Sequence, residues 1–293
     1  MQKLKAIWKL ALTSGPESKV SKRWLLGKSG SSMDRRFASS GAYTIEKSGD
    51  YLRFQVADEV FLWPADLPAA PMIGILSELF TPTHPHQYQW GPTQVDPEDV
   101  VLDIGASEGA FSALVTGRCT QVIAVEPSRT MCALMKDLFR VRNQPCPQIV
   151  ECLLGSRTST AYFAENPVNP GASRICTKPV DGAYQVPVIA LDDLVKQTGI
   201  RPTYIKCDAE GAAFDILLGA REYLRTYRPK LAIASYHTDT EYRELFGLLK
   251  PMGYQILGKG FLFSHGKLRV QMLHAWQDAK ESAGQTKGIL APD

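Results

Sequence analysis

Short apolar runs alternate with helix-like segments from Val100 to about Gly253. The runs VVLDIG, QVIAVE, TYIKCD and KLAIASYH are typical of parallel strands that are covered on both faces. After QVIAVE, Ser128 is placed to cap a helix. The apolar residues of that helix recur at the spacing of a stripe buried against a sheet, and they are Met131, Leu134, Met135 and Leu138. The pattern predicts an α/β domain with a doubly wound, mostly parallel sheet.

Both ends of the chain depart from this alternation. YQILGKGFLFSHGKLRVQMLHAWQ contains two β-like runs with no helix between them, which predicts an antiparallel terminal strand. AYTIEKSGDYLRFQVADEVFLW alternates polar and apolar residues and predicts a β-hairpin, and MIGILSELF predicts a short helix after it. We expect a flexible basic lead-in (1–40), a hairpin-and-helix extension covering one side of the site (41–97), the main domain (98–277) and a tail (278–293).

Composition narrows the classes of function. The 293 residues carry 33 Lys and Arg against 30 Asp and Glu, a net charge of +3, which gives no reason to expect a nucleic-acid partner. No apolar run approaches the roughly 20 residues that span a bilayer. Residues 1–12 form a basic amphipathic segment that could touch an anionic membrane surface or simply pack as a terminal helix. The six cysteines contain no C-x-x-C pair, which favours a reduced, cytoplasmic protein.

The candidate chemistry begins in the loop DIGASEG after the first strand. Gly105 allows a tight turn there, and Gly109 allows a ligand to approach the backbone closely. Amides at the start of the next helix are then free to bind a carboxylate, and S-adenosylmethionine carries one. Glu126 ends the second strand about 20 positions later, where an acid can accept hydrogen bonds from both ribose hydroxyls. The predicted cofactor is therefore S-adenosyl-L-methionine.

The cofactor-binding residues expected from this arrangement extend over four strand ends. The adenine ring is expected against the end of the third strand. The set consists of Asp103, Gly105, Ala106, Ser107, Gly109, Glu126, Pro127, Cys152, Leu153 and Asp208.

Two other readings fit parts of the same loop. A dinucleotide fingerprint matches Gly105 and Ala110, but Ser107 replaces the glycine that lets the backbone approach a pyrophosphate, which favours S-adenosylmethionine over NAD. The loop also matches G-x-S-x-G, the nucleophile elbow of α/β-hydrolases, with Asp208 and His237 following in triad order. That alternative leaves the strand-end acid without a role, and most strands here follow the elbow instead of preceding it.

Several segments together resemble the FkbM family of methyltransferases over about residues 75–255. They are VVLDIGASEGAF, VIAVEPS, PVIALDDL, YIKCDAEGAAFDILLGA and PKLAIASYH. The resemblance implies the class I methyltransferase fold and methyl transfer to oxygen, less often nitrogen, on a glycan, lipid or secondary metabolite. Ala209 and Ser235 depart from the family pattern, which bears on the acceptor and the base and not on the cofactor.

Three ionisable residues are candidates for catalysis. Asp208 and Glu210 follow the fourth strand, and His237 follows the fifth. A hydroxyl acceptor needs a base, and His237 is the first choice, the alternative being a histidine that donates to a neighbouring carboxylate or backbone carbonyl. Asp208 is expected to contact the methionine portion of the cofactor or to orient the acceptor, and Glu210 to cap a helix or act in catalysis. The three form no compact ligand set, so we expect no metal.

The loop TPTHPHQYQWGPT precedes the main domain. His84 and His86 could line the entrance for a small-molecule, glycan or lipid acceptor, or could simply be solvated. Tyr88 or Trp90 could pack over the cofactor. A non-catalytic binding scaffold of the same fold is the alternative from another class of function. The retained glycine loop and strand-end acids argue against it, and nothing in the sequence sets the number of subunits.

Overall fold

The computed structural model describes residues 30–278 except 167, 169, 171, 172, 177 and 265. Most of the predicted lead-in, including residues 1–12, lies outside the described residues, as does all of the predicted tail after Asp278. The described part of the lead-in contains a helix, α1 (Gly30–Ala38). In the described part of the chain, no helix has the length and apolar character to cross a membrane.

The extension before the main domain forms a three-stranded antiparallel sheet and a helix. Its elements are β1 (Tyr43–Ser48), β2 (Tyr51–Val56), β3 (Glu59–Pro64) and α2 (Ala70–Phe80). The sequence predicted a single hairpin. A second turn at Ala57, where φ is 48°, adds β3. Phe54 and Trp63 share a buried cluster with Ala110 and Leu114 of the main domain, so this sheet packs on the outer side of the first domain helix.

The main domain begins with the predicted alternation. Its first elements are β4 (Val100–Ile104), α3 (Ala110–Val115), β5 (Gln121–Val125), α4 (Arg129–Val141) and β6 (Gln148–Val150). Ser128 caps α4 by accepting the Met131 N–H at 3.1 Å, as the sequence predicted. The predicted stripe of α4 is buried, with exposed fractions between 0% and 3%.

A second small sheet interrupts the alternation. Its strands are β7 (Leu153–Gly155), β8 (Ser159–Ala164), β9 (Arg174–Cys176) and β10 (Tyr184–Ala190), in the order β7-β10-β8-β9. The sequence predicted one strand over PQIVECLL and an irregular stretch after it. In the structure the run divides at Cys152, so β6 stays in the main sheet and β7 joins the small one.

The rest of the domain returns to alternating strands and helices. Its elements are α5 (Leu191–Thr198), β11 (Tyr204–Cys207), α6 (Ala213–Leu218), α7 (Arg221–Tyr227), β12 (Lys230–Ala234), α8 (Glu241–Leu249), β13 (Gln255–Ser264) and β14 (Lys267–Trp276). The single helix predicted over AAFDILLGAREYLRTY divides after Leu218. A Cβ on Gly219 would lie 2.0 Å from the Gly155 carbonyl oxygen, so the chain passes too close to β7 for any other residue there.

The main sheet has the strand order β13-β14-β12-β11-β4-β5-β6. β14 is inserted antiparallel between β12 and β13, and the pairs among β6, β5, β4, β11 and β12 are parallel. This is the class I methyltransferase α/β fold, which confirms the predicted fold class. The strand order reverses between β4 and β11, and ligands of open α/β sheets bind at the carboxyl ends of strands at such a reversal.

Candidate functional site

The loop after β4 is fixed by contacts that only glycine permits. Gly105 has φ of 69°, and a Cβ there would lie 1.9 Å from the Asp208 carbonyl oxygen. Its N–H donates to the Val125 carbonyl at 3.0 Å. Gly109 has φ of 84° and rests against Met135 of α4. The backbone therefore bends over the ends of β4, β5 and β11 with little space beneath it.

Glu126, at the end of β5, is the acid that the sequence placed against a ribose. Its two carboxylate oxygens accept the N–H groups of Ser107 and Ser128, each at 2.9 Å. Burial raises the pKa of Glu126 to about 7, against the opposing effect of those two hydrogen bonds. Each carboxylate oxygen has two lone pairs, so both keep an acceptor site for a further donor.

Asp103 lies beneath the loop and not on its open side. It is fully buried and pairs with the Lys206 ammonium at 2.8 Å, and it accepts the Ser112 hydroxyl at 2.7 Å. Lys206 also donates to the Gly105 carbonyl at 2.7 Å. Burial opposes the charge of Lys206, but Asp103 and Asp208 outweigh it and raise the pKa of the ammonium. The pair fixes the position of the loop from below.

A cavity of about 330 Å³ opens beside Glu126. Of the predicted site residues, eight line it: Gly105, Ser107, Glu126, Pro127, Cys152, Leu153, Asp208 and Glu210. Four others do not: Asp103, Ala106, Gly109 and His237. The volume lies at the lower end of the range usual for pockets that hold a small ligand.

The small sheet supplies the far wall of this cavity. The sequence places residues 155–185 at the pocket, but their poor periodicity does not predict these strands. Phe163 of β8, Arg174 and Ile175 of β9, and Pro170 and Ser173 of the loop before β9 all line it. We expected the extension (41–97) to cover one side of the site. None of its described residues lines the cavity, but Tyr88 and His86 of the extension lie against Asp208, which does. Short strands in a proline-rich stretch give no periodic signal.

Asp208 is the centre of a cluster of charged and aromatic side chains. Its carboxylate accepts the Tyr88 hydroxyl at 2.6 Å. The His237 Nε2 lies 3.3 Å from it and the His86 Nε2 lies 3.7 Å from it. Burial favours the neutral form of Asp208, but the two histidines and Lys206 outweigh it and hold its pKa well below the usual value.

His237 is enclosed by acids. Its Nε2 lies 3.7 Å from Glu210, and its Nδ1 lies 3.5 Å from Glu241. Burial disfavours the imidazolium, but the interactions with Asp208 and Glu241 outweigh it and raise the pKa of His237 to about 10. The side chain is therefore a cation at neutral pH. Glu210 is more open, with 67% of its side chain exposed, and its pKa is raised by partial desolvation.

The extension reaches this cluster through the loop before β4. His86 is 2% exposed and lies 2.9 Å from the Glu78 carboxylate, and its ring meets Tyr88 edge-on at 5.1 Å. His84 is 1% exposed and lies 3.2 Å from Asp34. The alternative that these two histidines are solvated is therefore wrong, and neither of them lines the cavity. Acidic residues on neighbouring helices, which the loop sequence does not reveal, lie beside their ring nitrogens.

Trp90 packs on His274 at a ring distance of 5.3 Å and does not line the cavity. Ser107 donates its backbone N–H to Glu126, while His237 makes its contacts with acids. These contacts therefore do not form a hydrolase triad around Ser107. Within the described residues, no group of three histidine, cysteine or acidic side chains is placed to hold a metal ion.

Comparison with known proteins places this arrangement in one family. A family model described as "Methyltransferase FkbM domain" matches residues 103–256, from the loop acid Asp103 to the start of β13. No protein of curated function matched the chain.

Solved structures with a similar fold include a methyltransferase FkbM from Methylobacillus flagellatus KT, at 22% identity and a TM-score of 0.48, which covers 71% of this chain and 54% of the other. The chain thus spans about half the length of that protein. A precorrin-6y C5,15-methyltransferase from Geobacter metallireducens GS-15 has 15% identity and a TM-score of 0.40, covering 63% of this chain and 82% of the other. Magnesium protoporphyrin IX methyltransferase from Synechocystis PCC 6803 has 12% identity and a TM-score of 0.35, covering 62% and 71%.

Proposed function

Because the chain belongs to the FkbM methyltransferase domain family, we propose that it is an S-adenosylmethionine-dependent methyltransferase. The acceptor that we propose is a hydroxyl of a glycan, lipid or secondary metabolite. The observation that carries the proposal is the cavity at the strand-order reversal, with the Glu126 carboxylate on its wall and free acceptor capacity on both carboxylate oxygens.

The residues on the cavity wall fit the cofactor in chemical type. Cys152 and Leu153 offer an apolar surface for a purine ring, facing Phe163. The Glu126 oxygens suit a ribose diol, because a carboxylate only accepts hydrogen bonds. The Gly105 loop and Asp208 also line the cavity, and they suit an amino-acid tail, which carries both an ammonium and a carboxylate.

When bound, the cofactor supplies a methyl group on a positively charged sulfur, and an acceptor oxygen in line with that bond can attack the methyl carbon and displace the sulfur. The chain's own residues must then align the acceptor and take its proton. Glu210 suits the second task because it lines the cavity and is exposed, and because desolvation raises its pKa and so its basicity. His237, first choice from the sequence, is already protonated and lies off the wall. We therefore assign proton acceptance to Glu210 and the orientation of Asp208 and Glu210 to His237.

Binding of S-adenosylhomocysteine, measured by calorimetry, tests the proposal without knowledge of the acceptor. We expect the unaltered protein to bind it and Glu126→Gln to bind at least about tenfold more weakly, since one charged acceptor of the diol is lost. Glu222→Gln is the control, because Glu222 pairs with Lys196 on the surface. No binding by folded, unaltered protein rejects the proposal.

A further inference from the structure

Glu165, one residue after β8, binds the turn that follows the ribose acid. Its carboxylate accepts the Ser128 hydroxyl at 3.0 Å and the Thr130 hydroxyl at 2.5 Å. The Thr130 N–H lies 3.4 Å from the same carboxylate. These hydrogen bonds outweigh the partial burial of Glu165 and lower its pKa. An ionised acid thus binds donors of one short turn, at the start of α4.

Tyr184, at the start of β10, makes a second connection to the same turn. Its hydroxyl lies 2.5 Å from Glu165 and 3.1 Å from the Pro127 carbonyl, and it accepts the Arg129 N–H at 3.2 Å. The Arg129 guanidinium lies over the Tyr184 ring, 4.2 Å from its centroid. The small sheet is therefore joined to residues 127–130 at two neighbouring points.

These contacts join opposite walls of the same cavity. Pro127 and Ser128 lie on the wall that carries Glu126, and Phe163 and Ile175 lie on the wall formed by the small sheet. The Ser128 N–H donates to the Glu126 carboxylate, while the Ser128 hydroxyl donates to Glu165. A shift of Glu165 would therefore move both the far wall and the residue that orients the ribose acid.

We propose that Glu165 is a positioning residue that holds the small sheet against the 127–130 turn and so keeps the nucleoside half of the cavity closed around its ligand. The inference rests on the proposed function, because it takes the ligand to be S-adenosylmethionine or its demethylated product. Without the carboxylate, the closed arrangement makes up a smaller fraction of the molecules. Apparent affinity falls by that fraction.

The test compares Glu165→Ala, Glu165→Gln and Tyr184→Phe by calorimetry and stopped-flow dissociation of S-adenosylhomocysteine. We expect the dissociation constant to rise about tenfold in Glu165→Ala, the equivalent of about 1.4 kcal/mol, mainly through faster release. Glu165→Gln keeps one acceptor oxygen, so it should recover part of the loss. Tyr184→Phe should weaken binding severalfold. Methylthioadenosine lacks the amino-acid tail, and its affinity should also fall about tenfold in Glu165→Ala.

Glu244→Ala is the matched control, since Glu244 accepts the Thr240 hydroxyl at 3.0 Å in an exposed Thr–Glu pair of α8. It should bind as the unaltered protein does. Amide hydrogen exchange gives a readout that mere loss of stability would not reproduce. Without ligand, the unaltered protein and Glu165→Ala should have similar Tm values. The ligand should slow exchange in residues 159–164 and 184–190 of the unaltered protein, but not in those of Glu165→Ala. Affinities of all three variants within twofold of the unaltered protein overturn the inference, whereas failure of the unaltered protein to bind rejects the proposed function itself.

Discussion

Glu126 is held in place by two amide groups and yet is protonated more easily than an ordinary glutamate. Burial raises its pKa to about 7, although the Ser107 and Ser128 amides favour the ionised form. A ribose diol donates two hydrogen bonds and therefore also favours that form. Ligand binding should consequently lower the pKa of Glu126 and release a proton wherever the free protein carries one.

This linkage predicts a pH dependence of binding. The affinity for S-adenosylhomocysteine should be constant above about pH 8 and fall as the pH drops through 7, approaching tenfold weaker for each further unit. Glu126→Gln has no titrating group at that position, so its weaker affinity should stay level over the same range. Calorimetry between pH 6 and 8.5 measures both. An equal slope in the two proteins would assign the titration to another group.

His237 should be positively charged and His274 uncharged at neutral pH. The acids around His237 raise its pKa to about 10, whereas burial, beside Lys259, lowers the pKa of His274 to about 3. The chain has only five histidines, so ring signals can be assigned by NMR. We expect imidazolium shifts for His237 and neutral shifts for His274 from pH 6 to 8. In Asp208→Asn the pKa of His237 should fall, while His274 should not change.

The sequence indicated which residue types gather at the site but not their charge states. Glu126 and Asp208 could be placed because strand ends of a parallel sheet converge at one edge. The charge of His237 depends on Glu241, which lies on the following helix, and on Asp208 from another strand. The charge of His86 depends in the same way on Glu78. The pairs of His237 with Asp208 and of His86 with Glu78 follow from tertiary packing, which residue spacing within one segment does not determine.

At the scale of elements, a comparison of Gly105 with Gly117 distinguishes the effect of a positive φ from the effect of a close backbone contact. Both have positive φ, 69° and 80°. A Cβ on Gly117 would meet nothing within 4 Å, whereas on Gly105 it would lie 1.9 Å from the Asp208 carbonyl. Gly117→Ala should therefore cost about 1 kcal/mol of unfolding free energy from the left-handed conformation alone.

Gly105→Ala should cost more than about 3 kcal/mol, because the ends of β4 and β11 must move apart. It should also weaken binding of S-adenosylhomocysteine, which Gly117→Ala should leave unchanged. Urea denaturation and calorimetry on both variants measure these effects. Equal losses of stability would show that the close approach to Asp208 contributes nothing.

Elements with strong periodicity were predictable, and those defined by their partners were not. The buried strands β4, β5, β11 and β12 and the helix α4 match the runs in the sequence. β8 and β9 do not, because their strand character comes from pairing: Tyr162 of β8 faces both Gln185 of β10 and Cys176 of β9. The far wall of the cavity therefore could not be located from periodicity.

At the scale of the whole molecule, Arg142 joins the extension to the main domain. Its side chain is 5% exposed, donates to the Val60 carbonyl of β3 at 2.8 Å and to the Ala113 carbonyl of α3 at 3.3 Å, and pairs with Glu59. Arg140, two residues earlier, is 76% exposed and pairs only with Asp137 among these salt bridges. The two arginines offer a buried and an exposed cation at the end of one helix.

Replacing each arginine by methionine tests whether the extension and the main domain unfold as one unit. Arg142→Met leaves two carbonyls without this donor and leaves the partly buried Glu59 carboxylate with only the exposed Arg118, among the described residues, as a salt-bridge partner, so we expect a loss of about 2–4 kcal/mol. Arg140→Met should change stability by less than about 0.5 kcal/mol, as exposed pairs contribute little.

Because Phe54 and Trp63 of the extension share a buried cluster with Leu114 of α3, the two regions should lose structure together. Tryptophan fluorescence and far-UV circular dichroism should then give one coincident urea transition in both variants. Separate transitions in Arg142→Met would mean that the extension is a unit docked on the domain and not part of its cooperative core.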